Sequence, residues 1–170
     1  MVSRVLTDNE VALARTIFGG SINYMRIIVT DEKYVFFQPR NIAMAPHGFL
    51  HMCNHYSPDY TRESPEKRAL FIHEMTHVWQ FQKKIFRPVR EALKLCLKYK
   101  FNYAATYFYK LEANRNFRSY NMEQQAAILE DYFLDYRENH LHKGHCQNDC
   151  TNAERKQLYE GIIRGAFPKI

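Results

Sequence analysis

The sequence predicts an α+β domain in which a small antiparallel sheet precedes a mostly helical region. Two runs of β-branched and aromatic residues, YMRIIVT at 24–30 and YVFFQ at 34–38, flank a turn-like DEK and predict a hairpin. From residue 64 almost to the end, apolar residues recur instead at the spacing of amphipathic helices. Strands that come first and helices that follow indicate α+β packing rather than alternating βαβ units.

The other elements fit this order within a single domain over residues 1–170. The segment DNEVALARTIF (8–18) has helical apolar spacing behind a possible Asp8 cap and ends at two glycines. The segment IAMAPHGFLHM (42–52) predicts either a second hairpin or an irregular edge strand. The last segment, TNAERKQLYEGIIRGAF (151–167), predicts an amphipathic C-terminal helix.

The chain carries a net charge of +6, and much of the excess lies between residues 83 and 110. That segment mixes basic and aromatic residues, which predicts a solvated basic helix face, with contact to an anionic partner as the alternative. It matches no nucleic-acid-binding module, so no nucleic acid is expected as a partner. The N-terminus lacks the apolar core of a signal peptide, and no apolar run is long enough to span a bilayer. We therefore expect a soluble chain that is not exported by an N-terminal signal.

The decapeptide FIHEMTHVWQ (71–80) contains the most informative pattern in the chain. It lies within apolar residues at helical spacing, and Ser64 and Pro65 suit the cap and first position of a helix. The dipeptide Arg87-Pro88 predicts the end of that helix, because proline disfavours helical conformation in the residue before it.

His73 and His77 are four residues apart, so on a helix both imidazoles lie on one face and can bind one zinc ion. Glu74 is placed to act as a general base toward a water molecule at such a site. Burying these three polar side chains unpaired among apolar neighbours would cost several kcal/mol, which favours a metal over a purely structural helix.

Three protein ligands are expected at a catalytic zinc site, and the third is predicted on a later helix. The segment SYNMEQQAAILEDYF (119–133) has helical spacing, with Asn121 and Gln124 placed to form a capping box. We predict Glu123, in the first turn, as the third ligand. Glu130 lies two turns later on roughly the same face and is the alternative. Whichever carboxylate is not the ligand is expected to hydrogen-bond a zinc-binding histidine.

A zinc peptidase also needs a donor that stabilises the negative charge on the carbonyl oxygen. The candidates nearest the proposed ligand helix in sequence are Tyr120, Arg118 and Tyr132.

The segment HLHKGHCQNDC (140–150) gathers three histidines and two cysteines. Its spacing fits no closed structural zinc pattern, so a loop with incidental histidines is expected, with a second metal site as the alternative. A disulfide between Cys146 and Cys150 is possible in an oxidising compartment.

HEMTH followed by VWQ, the later NMEQQAA and the earlier FFQPRNIAM together resemble the zinc metallopeptidase domains of VgrG spike proteins and of Rhs-associated toxins of the bacterial type VI secretion system. The resemblance covers about residues 22–133. More broadly, the pattern is similar to the gluzincin class of zincins, in which two HExxH histidines and a downstream glutamate on a helix bind zinc. The acidic residue that usually follows this glutamate at a short fixed spacing is absent here.

The resemblance implies a zincin-like fold with Zn²⁺ as cofactor. His73, His77 and Glu123 would be the ligands, and Glu74 the catalytic base. The early strands would form a sheet whose edge receives an extended peptide or protein substrate.

The same resemblance implies an antibacterial effector toxin. It would be made in the bacterial cytoplasm without a signal peptide, secreted by a VgrG- or Rhs-type delivery apparatus, and active in the periplasm of a target cell. A cognate immunity protein would protect the producer.

Three functional hypotheses follow. The leading one is a zinc metallopeptidase that uses activated water to hydrolyse a peptide bond. The second keeps the zinc site but makes the substrate the peptide part of peptidoglycan, with amidase or endopeptidase action. The third is a non-catalytic, zinc-stabilised binding module.

Overall fold

A computed structural model describes residues 1–98, 102–142 and 144–167. Three short strands form one sheet in the order β1-β2-β3, where β1 is Ser3–Val5, β2 is Ile28–Thr30 and β3 is Leu50–His51. Strand β1 is antiparallel to β2, whereas β2 and β3 are parallel. The α+β prediction is confirmed, but the sheet is mixed rather than purely antiparallel.

The predicted hairpin of 24–30 with 34–38 is wrong. Only Ile28–Thr30 of the first run is a strand, and the second run forms bends and turns. Phe36 and Phe37 are 89% and 71% exposed, so the apolar run that suggests a strand is largely at the surface. Strand β2 pairs instead with the N-terminal segment, and the Asp31 side chain accepts a hydrogen bond from the backbone N–H of Val2 beside that pairing.

Segment 42–52 forms an irregular edge strand, which is one of the two structures predicted for it. Its end is β3, which also makes an isolated antiparallel bridge from His51 to Met44. Gly48 has φ +83° there, a conformation that favours glycine, and a Cβ at this position would lie 3.3 Å from the ring of Phe81.

The helices lie close to their predicted positions, except that the HExxH helix ends at Gln82, before the predicted end at Arg87-Pro88, and Pro88 begins the next helix. They are α1 (Asp8–Phe18), α2 (Pro65–Gln82), α3 (Pro88–Lys98), α4 (Met122–Tyr132) and α5 (Asn152–Ala166). Helix α1 is capped by Thr7 rather than Asp8, in a capping box with Glu10. Helix α4 continues directly into a π-helical turn over Phe133–Arg137.

Helix α2 is the centre of the molecule. Every residue from 71 to 80 is buried, and the helix makes its most extensive contacts with α4. Ala126 and Ala127 of α4 are fully buried, and their small side chains allow the two helices to approach closely. The polar residues of the HExxH sequence therefore lie inside the protein, where each needs a partner.

Helix α3 lies within the basic segment and exposes Leu93 and Leu97 together with Lys94 and Lys98. The prediction of an exposed basic helix face is confirmed for these described residues. Among the helices that the structure describes, none is both long and apolar enough to cross a membrane.

Candidate metal centre

Helices α2 and α4 bring three buried side chains together. His73, His77 and Glu123 each offer one ligand atom, and these atoms all lie within 4.8 Å of one another. Glu123 Oε2 is 3.3 Å from Nε2 of His77 and 3.7 Å from Nε2 of His73. Two imidazoles and one carboxylate around a common point form a group that can hold a metal ion.

The local sequence explains this convergence. Ser64 and Pro65 begin α2 as predicted, with the Ser64 hydroxyl accepting from the backbone N–H of Lys67, and the four-residue spacing puts both histidines on one face. Asn121 caps α4 through a capping box, so Glu123 lies in the first turn. The predicted set of two histidines and Glu123 is therefore found together.

Each histidine is oriented by a hydrogen bond at its Nδ1 atom. Nδ1 of His73 is 2.8 Å from Oε2 of Glu130, and Nδ1 of His77 is 2.9 Å from Oε1 of Gln80. Both contacts fix the ring so that Nε2 remains for a metal ion. Glu130, the alternative ligand, thus lies behind His73 as its hydrogen-bond partner.

Gln80 belongs to a longer chain of contacts that sequence reasoning missed. Its Nε2 donates to the backbone oxygen of Met122 and to Oε1 of Gln125, so it ties the histidine helix to the start of α4. The only sequence signal is that Gln80 follows His77 by three residues, which places the two side chains on neighbouring positions of the helix.

Glu123 is held in its ionised form. The Tyr103 hydroxyl donates to Oε1, which leaves Oε2 facing the two histidines. Burial opposes ionisation, but His77 and His73 outweigh it and hold the pKa of the Glu123 carboxyl well below its usual range. A carboxylate that stays ionised is the form that ligates a metal.

Glu74 differs from the other polar residues of α2 because part of it has no partner. Its Oε2 is buried and makes no hydrogen bond within the described residues. Burial raises the pKa of Glu74 above its ordinary value, although His77 and His73 act in the opposite direction. A buried acceptor with a raised pKa beside a possible metal site is suited to accept a proton, and the residues present therefore fit a bound metal ion and its water.

The three predicted oxyanion donors lie elsewhere. Tyr120 is buried and donates to the backbone oxygen of Lys110, Arg118 is exposed, and the ring of Tyr132 packs against Tyr136 and Tyr159. The structure does not bring any of the three to the histidines and Glu123.

Tyr107 lies at the centre instead. Its ring centroid is 5.8 Å from that of His73. Burial raises the pKa of Tyr107 well above its usual range, and the nearby carboxylates of Glu123, Glu74 and Glu130 add to the effect. The phenol therefore keeps its proton and can donate a hydrogen bond.

The histidine-rich loop is anchored on acidic residues. His142 contacts Asp131 and Asp135 through its two ring nitrogens, and His145 contacts Asp131 through Nδ1. No group capable of holding a second metal ion is found here among the described residues. The thiols of Cys146 and Cys150 are free in this structure, so the possible disulfide is not formed.

Fold and site together define an α+β protein in which a buried metal-capable His-His-Glu group joins two packed helices. No family model matches the sequence. The chain is 37% identical over 167 residues to the type VI secretion system spike protein VgrG2b of Pseudomonas aeruginosa, an alignment that covers 97% of this chain and 15% of that protein. The solved effector domain of Pseudomonas aeruginosa VgrG2b matches with a TM-score of 0.75 and 32% identity, over 95% of this chain and 84% of that domain.

This chain therefore belongs to the family of the VgrG2b effector domain. It spans only a small part of the length of the whole spike protein.

Proposed function

We propose that this chain is a zinc-dependent peptidase that acts as a type VI secretion effector. The observation that carries the proposal is the arrangement of His73, His77 and Glu123 around one point, with the unpartnered Oε2 of Glu74 buried beside them. Two histidines and a glutamate form a donor set typical of catalytic zinc.

His73, His77 and Glu123 would hold the ion, and a fourth position would remain for water or substrate. When bound, zinc polarises the scissile carbonyl group and lowers the pKa of water. Glu74 accepts the proton of the attacking water at its free Oε2 and transfers it to the leaving nitrogen. Tyr107 keeps its phenolic proton and donates it in a hydrogen bond to the carbonyl oxygen as that oxygen gains charge.

The biological setting of the proposal comes from family membership. The matched proteins are a type VI secretion spike and its effector domain. By that relationship, the chain would reach its target through a VgrG- or Rhs-type apparatus and would act in the target-cell periplasm. A cognate immunity protein would bind and inhibit it in the producing cell.

The substrate is either a protein or the peptide part of peptidoglycan. The second substrate is supported by exposed basic residues such as Lys94 and Lys98, which suit a polyanionic cell wall. Purified protein should be incubated separately with unfolded protein and with isolated sacculi. Release of peptides in the first case and of muropeptides in the second distinguishes the two substrates.

Glu74→Gln tests the catalytic claim. This variant should bind about one zinc per chain, yet lose hydrolysis and lose toxicity when directed to the periplasm of an indicator bacterium. The matched control is Glu66→Gln on the same helix, because Glu66 is exposed and its carboxylate contacts His140 and the Ser64 cap at the surface. Toxicity of Glu74→Gln equal to that of the wild type would exclude a peptidase mechanism and favour a zinc-stabilised binding module.

A further inference from the structure

The loop that carries the last histidines reaches the metal centre. The ring of His145 packs on Tyr107 with centroids 5.6 Å apart, and Tyr107 in turn packs on His73 at 5.8 Å. His145 also interacts electrostatically with Glu130 and His73. A histidine from an irregular segment thus lies beside Tyr107, the residue proposed above as a donor to the substrate.

The Asp131 carboxylate accepts two hydrogen bonds from His145, one from the ring and one from the backbone. The carboxylate is 1% exposed, its Oδ1 accepts from Nδ1 of His145 at 3.2 Å, and its Oδ2 accepts from the His145 backbone N–H at 2.7 Å. Tyr109 also donates to Oδ2, at 2.7 Å, and so fixes the carboxylate. Both the backbone position and the ring orientation of His145 are therefore set by one buried anion.

Gly144 makes this close approach possible. A Cβ at this position would lie 2.6 Å from the carboxyl carbon of Asp131, a distance that real contacts do not reach. The Asp131 carboxylate cannot move aside easily, because Tyr109, His142 and His145 all hydrogen-bond to it. The loop can reach the carboxylate here only because residue 144 has no side chain.

Anchoring of the loop alone does not require His145. His142 already connects the same loop to Asp131 and to Asp135, through both of its ring nitrogens. His145 uses only Nδ1, its side chain is 32% exposed, and Nε2 has no hydrogen-bond partner among the residues that the structure describes. An imidazole with one nitrogen held by a buried carboxylate and the other open is arranged to interact with a substrate.

The charges around His145 favour its protonated form. The hydrogen bond that the His145 ring donates to the Asp131 carboxylate is the main influence that raises the pKa of His145. Burial lowers this pKa, the charges of Asp131 and Glu130 raise it further, and His73 lowers it. With Nδ1 bound to Asp131, the proton of the imidazolium that remains available is the one on Nε2.

We propose that His145, positioned by Asp131, is a catalytic residue that donates a hydrogen bond from Nε2 to the carbonyl oxygen of the scissile amide. The proton stays on Nε2, and the interaction strengthens as negative charge develops on that oxygen, so it lowers the barrier rather than improving substrate binding. Proton transfer to the leaving nitrogen remains with Glu74. This inference rests on the proposed peptidase function.

Zinc-loaded His145→Gln protein tests the proposal against a peptide substrate. The variant should retain its zinc, lose about 10²-fold in kcat, and change KM by less than about threefold, because the interaction is made mainly in the transition state. Its affinity for a phosphinic peptide, which mimics the tetrahedral anion, should fall by a similar factor in calorimetry. A product-like peptide should bind it as tightly as it binds the wild type.

The pH dependence of kcat distinguishes a catalytic role of His145 from a purely structural one. Wild-type kcat should fall as pH rises through the pKa of His145, and His145→Gln should lack that alkaline limb. Asp131→Asn should shift the limb to lower pH, since the carboxylate that raises the pKa is gone. Nuclear magnetic resonance titration of His145 in metal-free protein should show the same downward shift without any dependence on turnover.

Two other histidines of the loop are controls. His140→Gln should have wild-type kcat, because the His140 ring pairs with exposed Glu66 at the surface. If His142→Gln lowers kcat as much as His145→Gln, loop anchoring explains the effect and the catalytic role is overturned. Wild-type kcat and phosphinic-peptide affinity in His145→Gln would also overturn it while leaving the peptidase intact. A wild-type protein that binds zinc, hydrolyses nothing and does not bind the phosphinic peptide would refute both proposals.

Discussion

At the scale of single residues, the candidate metal centre depends on contacts made behind the three side chains that could ligate an ion. The Nδ1 atom of each histidine meets an oxygen, from Glu130 for His73 and from Gln80 for His77. Such contacts set the tautomer and the ring angle of a ligand, and the loss of one commonly costs 10–100-fold in metal affinity.

Glu130→Ala tests this layer. The variant should bind zinc about 10–100-fold more weakly while remaining folded, because His73 loses the acceptor that orients it. Competition with a chelating dye measures the affinity, and circular dichroism checks the fold. Glu160→Ala, on the outer helix α5, is the matched control and should have wild-type affinity. Equal affinity in both variants would show that His73 is oriented without Glu130.

Tyr107→Phe tests the proposed phenolic donor. Removing the hydroxyl should lower kcat by about 10²-fold with a smaller effect on KM, because the hydrogen bond forms as charge develops on the substrate oxygen. Tyr120→Phe removes a hydroxyl that bonds the backbone oxygen of Lys110 instead. That control should keep its kcat and lose only about 1 kcal/mol of stability. A similar fall in kcat for both variants would assign the effect to packing.

The grouping of the three candidate ligands could be predicted from sequence, whereas the residues around them could not. Helical spacing and capping signals are local, so they are enough to predict His73, His77 and Glu123 from the sequence alone. Tyr107 and His145 come from irregular segments, where no periodicity indicates the direction of a side chain. With 12 tyrosines in the chain, proximity in sequence to Glu123 favoured Tyr120 and Tyr132, which face other parts of the protein.

At the scale of elements, the helices were predictable and the strands largely were not. Helix α2 combines a cap, an initial proline and a long apolar run, and each of these signals is contained within the helix. The strands are only two or three residues long, and β2 pairs with a segment more than twenty residues away. Strand partners this far apart in sequence leave no local pattern. The run that contains Phe36 and Phe37 has the residue types of a strand, but these two side chains are exposed.

The N-terminal strand and α1 are joined by a buried ion pair. Glu10 is fully buried, and its carboxylate accepts two hydrogen bonds from Arg4, each at 2.7 Å. The same carboxylate accepts from the backbone N–H groups of Thr7 and Tyr60, both at 2.9 Å. One side chain thus connects β1, the start of α1 and the loop before α2.

Glu10→Ala should lower the free energy of unfolding by about 3–5 kcal/mol, because Arg4 and two backbone donors lose their buried partner. Urea denaturation of metal-free protein measures this change. Glu160→Ala breaks a surface pair of half-buried Glu160 with exposed Arg164 on α5 and should cost less than about 0.5 kcal/mol. A loss below about 1 kcal/mol for Glu10→Ala would mean that water replaces the lost carboxylate.

At the scale of the whole molecule, the three candidate ligands join two helices that pack at the centre of the core. His73 and His77 come from α2, and Glu123 comes from α4. An ion bound by both helices would have to be released before they separate, so metal binding would be linked to global stability.

Without metal, the two histidines of the candidate centre are favoured in their protonated forms. Burial opposes protonation of His73, but Glu130 and Glu123 outweigh it and raise the pKa of His73. Burial also opposes protonation of His77, but Glu123 outweighs it and raises the pKa of His77. A folded-state pKa above the unfolded value of about 6.5 contributes stability that is fully present below that pH. The contribution is lost as pH rises through the folded-state pKa. Metal-free protein should therefore become less stable from about pH 6.5 upward.

Zinc should reverse this trend, because ligation requires neutral imidazoles and protons compete with the ion. At free zinc about 100 times Kd, the gain should be about 2.7 kcal/mol, which corresponds to roughly 5–10 °C in Tm for a domain of this size. At one fixed concentration of free zinc, the gain in Tm should be larger at about pH 8 than at about pH 6, and calorimetric scans with a zinc buffer measure it. His77→Ala should show almost no gain at either pH. An equal gain in His77→Ala and wild type would place the stabilising ion outside the helix α2–α4 junction.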